Sequence, residues 1–166
     1  PRIVRYGGAM FDQDEIGAVM KQMQNPMGLV PGEKVCEFER RVAAYMGKAH
    51  GVMVNSGSSA LMLAMRLANL PRGSEVITPA LTFSSDVAAI YHADCTPVFV
   101  DVGLSDYQTR VDRIESAIGR DTRAILIPDL VGGICDWDEV RRIADRHGLF
   151  VIHDSADTLG GKLRGR

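Results

Sequence analysis

The sequence has little cysteine, and none of it in a pairing or metal-binding pattern. Cys36, Cys95 and Cys135 stand far apart in 166 residues. No C-x-x-C occurs, so zinc and disulfide frameworks are not expected, and an odd, widely spaced set argues the same way. Mostly buried, reduced thiols in a cytoplasmic protein are expected, because free cysteine packs as a small hydrophobe. There is no excess of one charge either. Nineteen basic and 21 acidic side chains leave a formal charge of -2, which argues against an electrostatic nucleic-acid binder, since that needs a basic face. No apolar run approaches the roughly 20 residues of a membrane helix. The first eight residues, Pro1 to Gly8, lack the apolar stretch of a signal peptide. Three common site motifs are also missing: G-x-G-x-x-G after the first strand, the P-loop G-x-x-x-x-G-K-[ST], and the G-x-S-x-G elbow. The four histidines lack metal-ligand spacing, and no metal is expected.

What remains is the composition of an ordinary soluble domain, 46% hydrophobic and 24% charged. The length suits about one domain with its own core. Residues 12–24 read as a helix, with Asp12 as cap and Glu15 three residues on, as in a capping box. Asn25-Pro26 stops it, and Pro31-Gly32 marks a second turn. Residues 33–46 form a second helix, with Val35, Phe38, Val42 and Tyr45 on one stripe and Gly47 as its stop. Five short apolar runs follow, at 51–54, 75–78, 97–100, 124–127 and 149–152. Each is apolar or β-branched on both parities, the pattern of strands buried on two faces of a parallel sheet. Helical segments separate them, at 58–67, 84–92, 112–118 and 137–147. This alternation predicts an α/β fold, a doubly wound, mostly parallel sheet with flanking helices. Ligands in such sheets sit at the carboxyl ends of the strands.

Four strand ends carry residues of interest. After the first run comes Asn55-Ser56-Gly57-Ser58-Ser59-Ala60, a turn opening a helix. It reads as an anion site at a helix N-terminus or as an ordinary cap by Ser56 or Ser58. After the second comes Thr82-Phe83, whose aromatic ring either stacks on a planar ligand or belongs to the core. Asp101 after the third reads as a cap or turn residue. After the fifth comes His153-Asp154-Ser155-Ala156-Asp157. A carboxylate there either caps a helix or meets a ligand, and facing a heterocyclic nitrogen it would hold that nitrogen protonated.

The order of these pieces carries a resemblance. Asn55 to Ala60 precedes a helix, and Gly73-Ser74-Glu75-Val76-Ile77-Thr78-Pro79 leads to Thr82-Phe83. Pro97-Val98-Phe99-Val100-Asp101-Val102 and Thr122-Arg123-Ala124-Ile125 follow, then His153-Asp154 with Gly160 beyond. From about Tyr6 to Arg166 the chain resembles the DegT/DnrJ/StrS family of pyridoxal-phosphate-dependent sugar aminotransferases, which have the type I aminotransferase fold. The resemblance implies pyridoxal 5'-phosphate, or its pyridoxamine form, as cofactor, and a nucleotide-linked keto-sugar as substrate. By the same resemblance Gly57, Ser58 and Ser59 hold the cofactor phosphate, Phe83 stacks on the ring, and Asp154 pairs with the ring nitrogen. Asp157 stands where the family places a residue near the phenolic oxygen. It also implies a helical segment at 1–48 and, at 49–166, a partial cofactor-binding large domain, incomplete on its C-terminal side. A homodimer is implied for the full-length enzyme, with no nucleic acid or membrane partner.

The departures from the family pattern are informative. Many members have Glu-Asp where this chain has His153-Asp154, and His where it has Asp129. Many have Gln at the place of Asp157. The serine loop and Asp157 are more similar to the sugar 3-dehydratase branch, in which histidine replaces the Schiff-base lysine and a C3 hydroxyl is eliminated. The lysine or histidine of the pattern lies further past Asp154 than this sequence reaches. Lys21, Lys34, Lys48 and Lys162 do not match its spacing. The expectation is an N-terminal fragment of a longer enzyme, inactive by itself, in which the run at 51–54 lacks its neighbouring strand. The leading function is sugar aminotransferase, with 3-dehydratase as the alternative. Outside the family, a non-catalytic nucleotide- or effector-binding module and a truncated paralogue kept for dimerisation or regulation stay open.

Overall fold

A computed structural model describes residues 8–30 and 32–165. The expected turn at Pro31 and the first seven residues lie outside the described residues. The chain divides into two compact units, Pro1–Met53 and Val54–Arg166.

In the first unit, α1 spans Gln13–Met23 and α2 spans Glu33–Tyr45, with a 3-10 turn at Pro26–Leu29 between them. The capping box forms as the sequence predicts. Asp12 Oδ1 accepts from the Asp14 N–H, and Glu15 accepts from the Asp12 N–H at 2.8 Å. Gly47 ends the second helix region in the left-handed conformation, with φ +62°. The α2 stripe is not a buried one, since Phe38 and Tyr45 are exposed and Ala43 is the unit's buried apolar residue among those described. Cys36 on the same helix is exposed, so only Cys95 and Cys135 behave as the buried thiols expected.

The second unit holds the sheet. Its elements are α3 Gly57–Ala68, β1 Glu75–Pro79, α4 Ser84–His92, β2 Thr96–Val100, α5 Val111–Ile114, β3 Thr122–Pro128, α6 Trp137–His147 and β4 Phe150–Asp154. The segment read as one helix at 112–118 is α5 followed by a 3-10 turn. The strand order is β2-β1-β3-β4, and every pairing is parallel. The run at 51–54 forms no strand. A strand exists only through its ladder, and here the Met53 N–H goes instead to Glu39 Oε1 at 2.8 Å. Gly51 packs so closely on α2 that a Cβ would lie 2.6 Å from the Glu39 carbonyl oxygen.

The sheet is covered on both faces, which makes it doubly wound. Strand residues alternate between the faces. Val76, Ala124, Leu126 and Ile152 meet Leu61 and Met65 of α3 and Ala89 and Ile90 of α4. Ile77, Ile125 and Ile127 meet Ile114 of α5 and Val140, Ile143 and Ala144 of α6. The central strands β1 and β3 are therefore buried on both parities, which is why they read as unbroken apolar runs.

This alternation also decides where the last strand residues point. Asp154 shares parity with Ile152 and belongs to the α3/α4 face. His153 shares parity with Val151, which packs on the α6 side. Neighbours in sequence thus serve opposite faces.

Candidate active site

In a parallel sheet all strands end on one edge, and here that edge carries Pro79, Val100, Pro128 and Asp154. The N-terminus of α4 follows β1 directly. Helix α3 runs parallel to α4, since the Arg66 guanidinium near its C-terminus donates to the His92 carbonyl at the C-terminus of α4, at 3.2 Å. From that point each helix rises roughly 12–14 Å back to its start. Both N-termini therefore lie towards the carboxyl edge of the sheet, on the face to which Asp154 belongs. Gly57, Ser58, Ser59, Phe83 and Asp154 share one edge and one face of this unit.

The start of α3 is capped by Ser56, not Ser58. Ser56 Oγ accepts from the Ser59 N–H at 3.1 Å, and Ser59 Oγ donates to Asn55 Oδ1 at 2.7 Å. The N–H groups of Gly57 and Ser58 come too early to join the helix ladder. Ser58 is exposed, and a Cβ built at Gly57 would meet nothing within 4 Å. The packing does not demand a glycine there, and the space above the first turn is open. Replacing Ser56 with alanine is expected to cost about 1 kcal/mol, the usual value of an N-cap oxygen. Urea unfolding of the variant measures this, and no change would show the cap to be inert.

Phe83 is 63% exposed at the N-terminus of α4, which overturns the reading of it as a core residue. Asp154 is half-buried and accepts from the Ala156 N–H at 2.9 Å. The first turn of α4 holds a residue that sequence reasoning missed. Asp86, in the first turn of α4, is 0% exposed and accepts from Thr82 Oγ1 at 2.5 Å. Burial pushes its carboxyl up to about 6, the Thr82 hydroxyl opposes this, and the Asp154 carboxylate adds to it. An acid in a first helical turn reads as an exposed partner of the helix dipole, so the sequence held no signal of its burial.

The opposite face of the edge carries a second cluster. Asp129, at the end of β3, is 3% exposed. Its Oδ1 accepts from the Cys135 N–H and from Trp137 Nε1, both at 2.9 Å. Its Oδ2 lies 2.7 Å from His153 Nε2 and 3.3 Å from Thr158 Oγ1. Burial pushes the Asp129 carboxyl up, but the bonds from His153, Cys135 and Trp137 outweigh it and hold the carboxyl below its ordinary value. Trp137, the first residue of α6, also packs its ring against His153, with ring centroids 3.9 Å apart and the planes tilted by 37°. Burial, then the charge of Asp129, push the Cys135 thiol up to about 12, so it is inert. The Asp157 carboxylate accepts from the Val131 N–H at 2.9 Å. Val131 is left-handed, φ 50°, and this bond helps fix it. Asp101, Lys162 and His92 are exposed. Among the described residues there is no cluster of side chains able to hold a metal, and no helix long and apolar enough to cross a membrane.

A sheet with this order and flanking helices defines an α/β fold, and its carboxyl edge carries the candidate site residues: a serine-rich helix start, an exposed aromatic and a carboxylate. The chain belongs to the DegT/DnrJ/EryC1/StrS aminotransferase family, whose model matches residues 10–166. It is 36% identical over 154 residues to UDP-N-acetyl-3-dehydro-alpha-D-glucosamine 3-aminotransferase of Acidithiobacillus ferrooxidans, covering 93% of this chain and 42% of that protein. It is 34% identical over 171 residues to dTDP-4-dehydro-2,6-dideoxy-D-glucose 3-dehydratase of Saccharopolyspora spinosa, covering 98% and 37%. Among solved structures it resembles NtdA of Bacillus subtilis with bound cofactor PMP, with a TM-score of 0.83 and 29% identity over 90% of this chain and 35% of that one. The chain thus spans about two fifths of the length of these relatives.

Proposed function

We propose that the protein is a pyridoxal-phosphate-dependent enzyme acting on nucleotide-linked keto-sugars, with residues 54–166 contributing much of its cofactor site, and that its reaction is amino transfer. The observation that carries this reading is the common edge and face of the α3 N-terminus, Phe83 and Asp154. The family match and the PMP-bound neighbour support it.

The residues present fit the cofactor. Unladdered N–H groups at Gly57 and Ser58, the Ser58 hydroxyl and the helix dipole suit a phosphate, and the open space at Gly57 admits one. The exposed face of Phe83 suits a flat ring. Asp154 suits the ring nitrogen, whose proton a carboxylate retains. When bound, the group supplies an electron sink for chemistry at the sugar carbon. This chain's share is to bind the phosphate, orient the ring and keep a proton on its nitrogen. The full-length enzyme is read as a cytoplasmic homodimer. The isolated 166 residues are read as inactive.

Elimination of a C3 hydroxyl is the second reading. It is favoured by Asp157 and by the similarity to a 3-dehydratase. The test uses the full-length protein with cofactor, an amino-acid donor and a panel of nucleotide-linked keto-sugars. An amino-sugar product supports amino transfer, and a 3-deoxy product supports the second reading. Absence of both, together with no spectral change on cofactor titration, overturns the proposal in favour of a binding module.

A further inference from the structure

We propose that Asp129 is a positioning residue for Asp154: with His153 it clamps the end of β4 from the opposite face of the sheet, and so sets the direction in which Asp154 presents its carboxylate. The role towards a cofactor rests on the reading of Asp154 given above, whereas the clamp itself does not.

The clamp is made of direct contacts. Asp129 is itself anchored, because its Oδ1 accepts from the Cys135 N–H and from Trp137 Nε1 at the start of α6, both at 2.9 Å. It then holds β4 twice. Just past the end of β3 its N–H donates to the Asp154 carbonyl at 3.0 Å, and its Oδ2 lies 2.7 Å from His153 Nε2. An ionised carboxylate only accepts, so Nε2 is the donor. The turn after β4 is held to the same place. Thr158 Oγ1 donates to Asp129 Oδ2 at 3.3 Å, and the Asp157 carboxylate accepts from the Val131 N–H at 2.9 Å.

Strand geometry turns these contacts into control of Asp154. Successive side chains leave a strand on opposite faces. With His153 pinned on the α6 face, the end of β4 cannot rotate about its own axis, and the Cβ of Asp154 keeps one direction on the α3/α4 face. The bond from the Ala156 N–H to the Asp154 carboxylate does not do this, because that amide is two residues on and moves with the same turn. A misplacement of about 1 Å at a reacting group can cost about a hundredfold in rate, so a clamp one residue away from Asp154 has consequences for chemistry. His153 is exposed where Asp129 is buried, and cutting the clamp at His153 leaves the other donors to Asp129 in place.

The experiment uses the full-length protein. His153→Phe keeps a ring against Trp137 and removes the donor, whereas His153→Gln returns an N–H donor. Thr158→Val is a milder cut at the same oxygen and serves if His153→Phe does not fold. The first readout is hydrogen exchange without cofactor, taken as the rate at the Asp129 N–H relative to the core amide of Ile125, which cancels global destabilisation. His153→Phe is expected to raise this ratio about tenfold or more, the effect of losing a bond to a charged group. Thr158→Val should raise it less, and His153→Gln should restore it. The second readout is the loaded enzyme. His153→Phe is expected to lower kcat by about ten- to a hundredfold with the KM for the sugar little changed. It should also shift the absorption of bound cofactor in the direction that Asp154→Asn does, and His153→Gln should recover most of both. A residue that only stabilises the fold would lower the melting temperature and leave the spectrum and kcat of the folded enzyme alone.

An unchanged exchange ratio in His153→Phe, or in Thr158→Val where the former does not fold, overturns the clamp. A raised ratio with wild-type spectrum and kcat, when Asp154→Asn alters both, overturns the positioning role. If Asp154→Asn itself leaves spectrum and kcat unchanged, the cofactor reading of Asp154 falls, and the exchange ratio alone then decides the clamp.

Discussion

Replacing Asp129 with alanine is expected to destabilise the 54–166 unit by about 3–5 kcal/mol, the range for removing one partner of a buried charged network. The change strands the Cys135 N–H, the indole N–H of Trp137 and the Thr158 hydroxyl at once. A loss of that size is a large share of the 5–15 kcal/mol typical of a folded domain. His153→Ala should cost less, about 1.5–3 kcal/mol, because Asp129 keeps its other donors and only a bond to a charged group is lost. The sign of the pH dependence follows from the depressed Asp129 carboxyl. The unfolded chain binds this proton more readily than the folded one. The contribution of Asp129 is therefore complete above its ordinary value of 3.8 and disappears as the pH falls through the lower folded value. Urea unfolding of wild type, Asp129→Ala and Asp129→Asn at neutral and acidic pH measures both effects. A loss under about 1 kcal/mol at neutral pH would show that the network is not structural.

Replacing Asp154 with asparagine in the full-length enzyme is expected to lower turnover by about a hundredfold or more. An amide cannot hold a ring-nitrogen proton by charge. Each unit of proton affinity lost is about 1.36 kcal/mol, a tenfold effect where the protonated ring is the reacting form. The absorption of bound cofactor should change with it, which separates a chemical effect from unfolding. Asp154→Glu keeps the charge but displaces it, and should recover part of the spectrum. A variant within tenfold of wild type would remove Asp154 from the chemistry.

The helices and central strands were legible in the sequence because their causes are local. Asp12 and Glu15 close a capping box across three residues, and Gly148 ends α6 in the left-handed conformation that glycine adopts at little cost. Strands β1 and β3 read as apolar on both parities because both parities are buried. Residues 51–54 carry the same pattern and form no strand, since pattern supplies a surface for pairing but not the partner. The site divides in the same way. Ser56 to Ser59 could be picked out as a helix start, and Phe83 and Asp154 as residues at or just after strand ends. Asp86 could not, because an acid in a first helical turn looks alike whether it faces water or the protein interior.

The clearest case is the pair formed by Asp129 and His153. In the family resemblance these are two unrelated departures, an acid at a place where many members have histidine and a histidine where many have glutamate. The fold brings them to 2.7 Å across β3 and β4, so the two side chains pair. By itself the sequence determined the α/β class, most element boundaries and the residue types at the strand ends, because hydrophobic period and capping act within a few residues. Only the tertiary structure decided which face each strand-end side chain serves and which charges meet. Those follow from parallel register and helix packing, which join residues tens of positions apart.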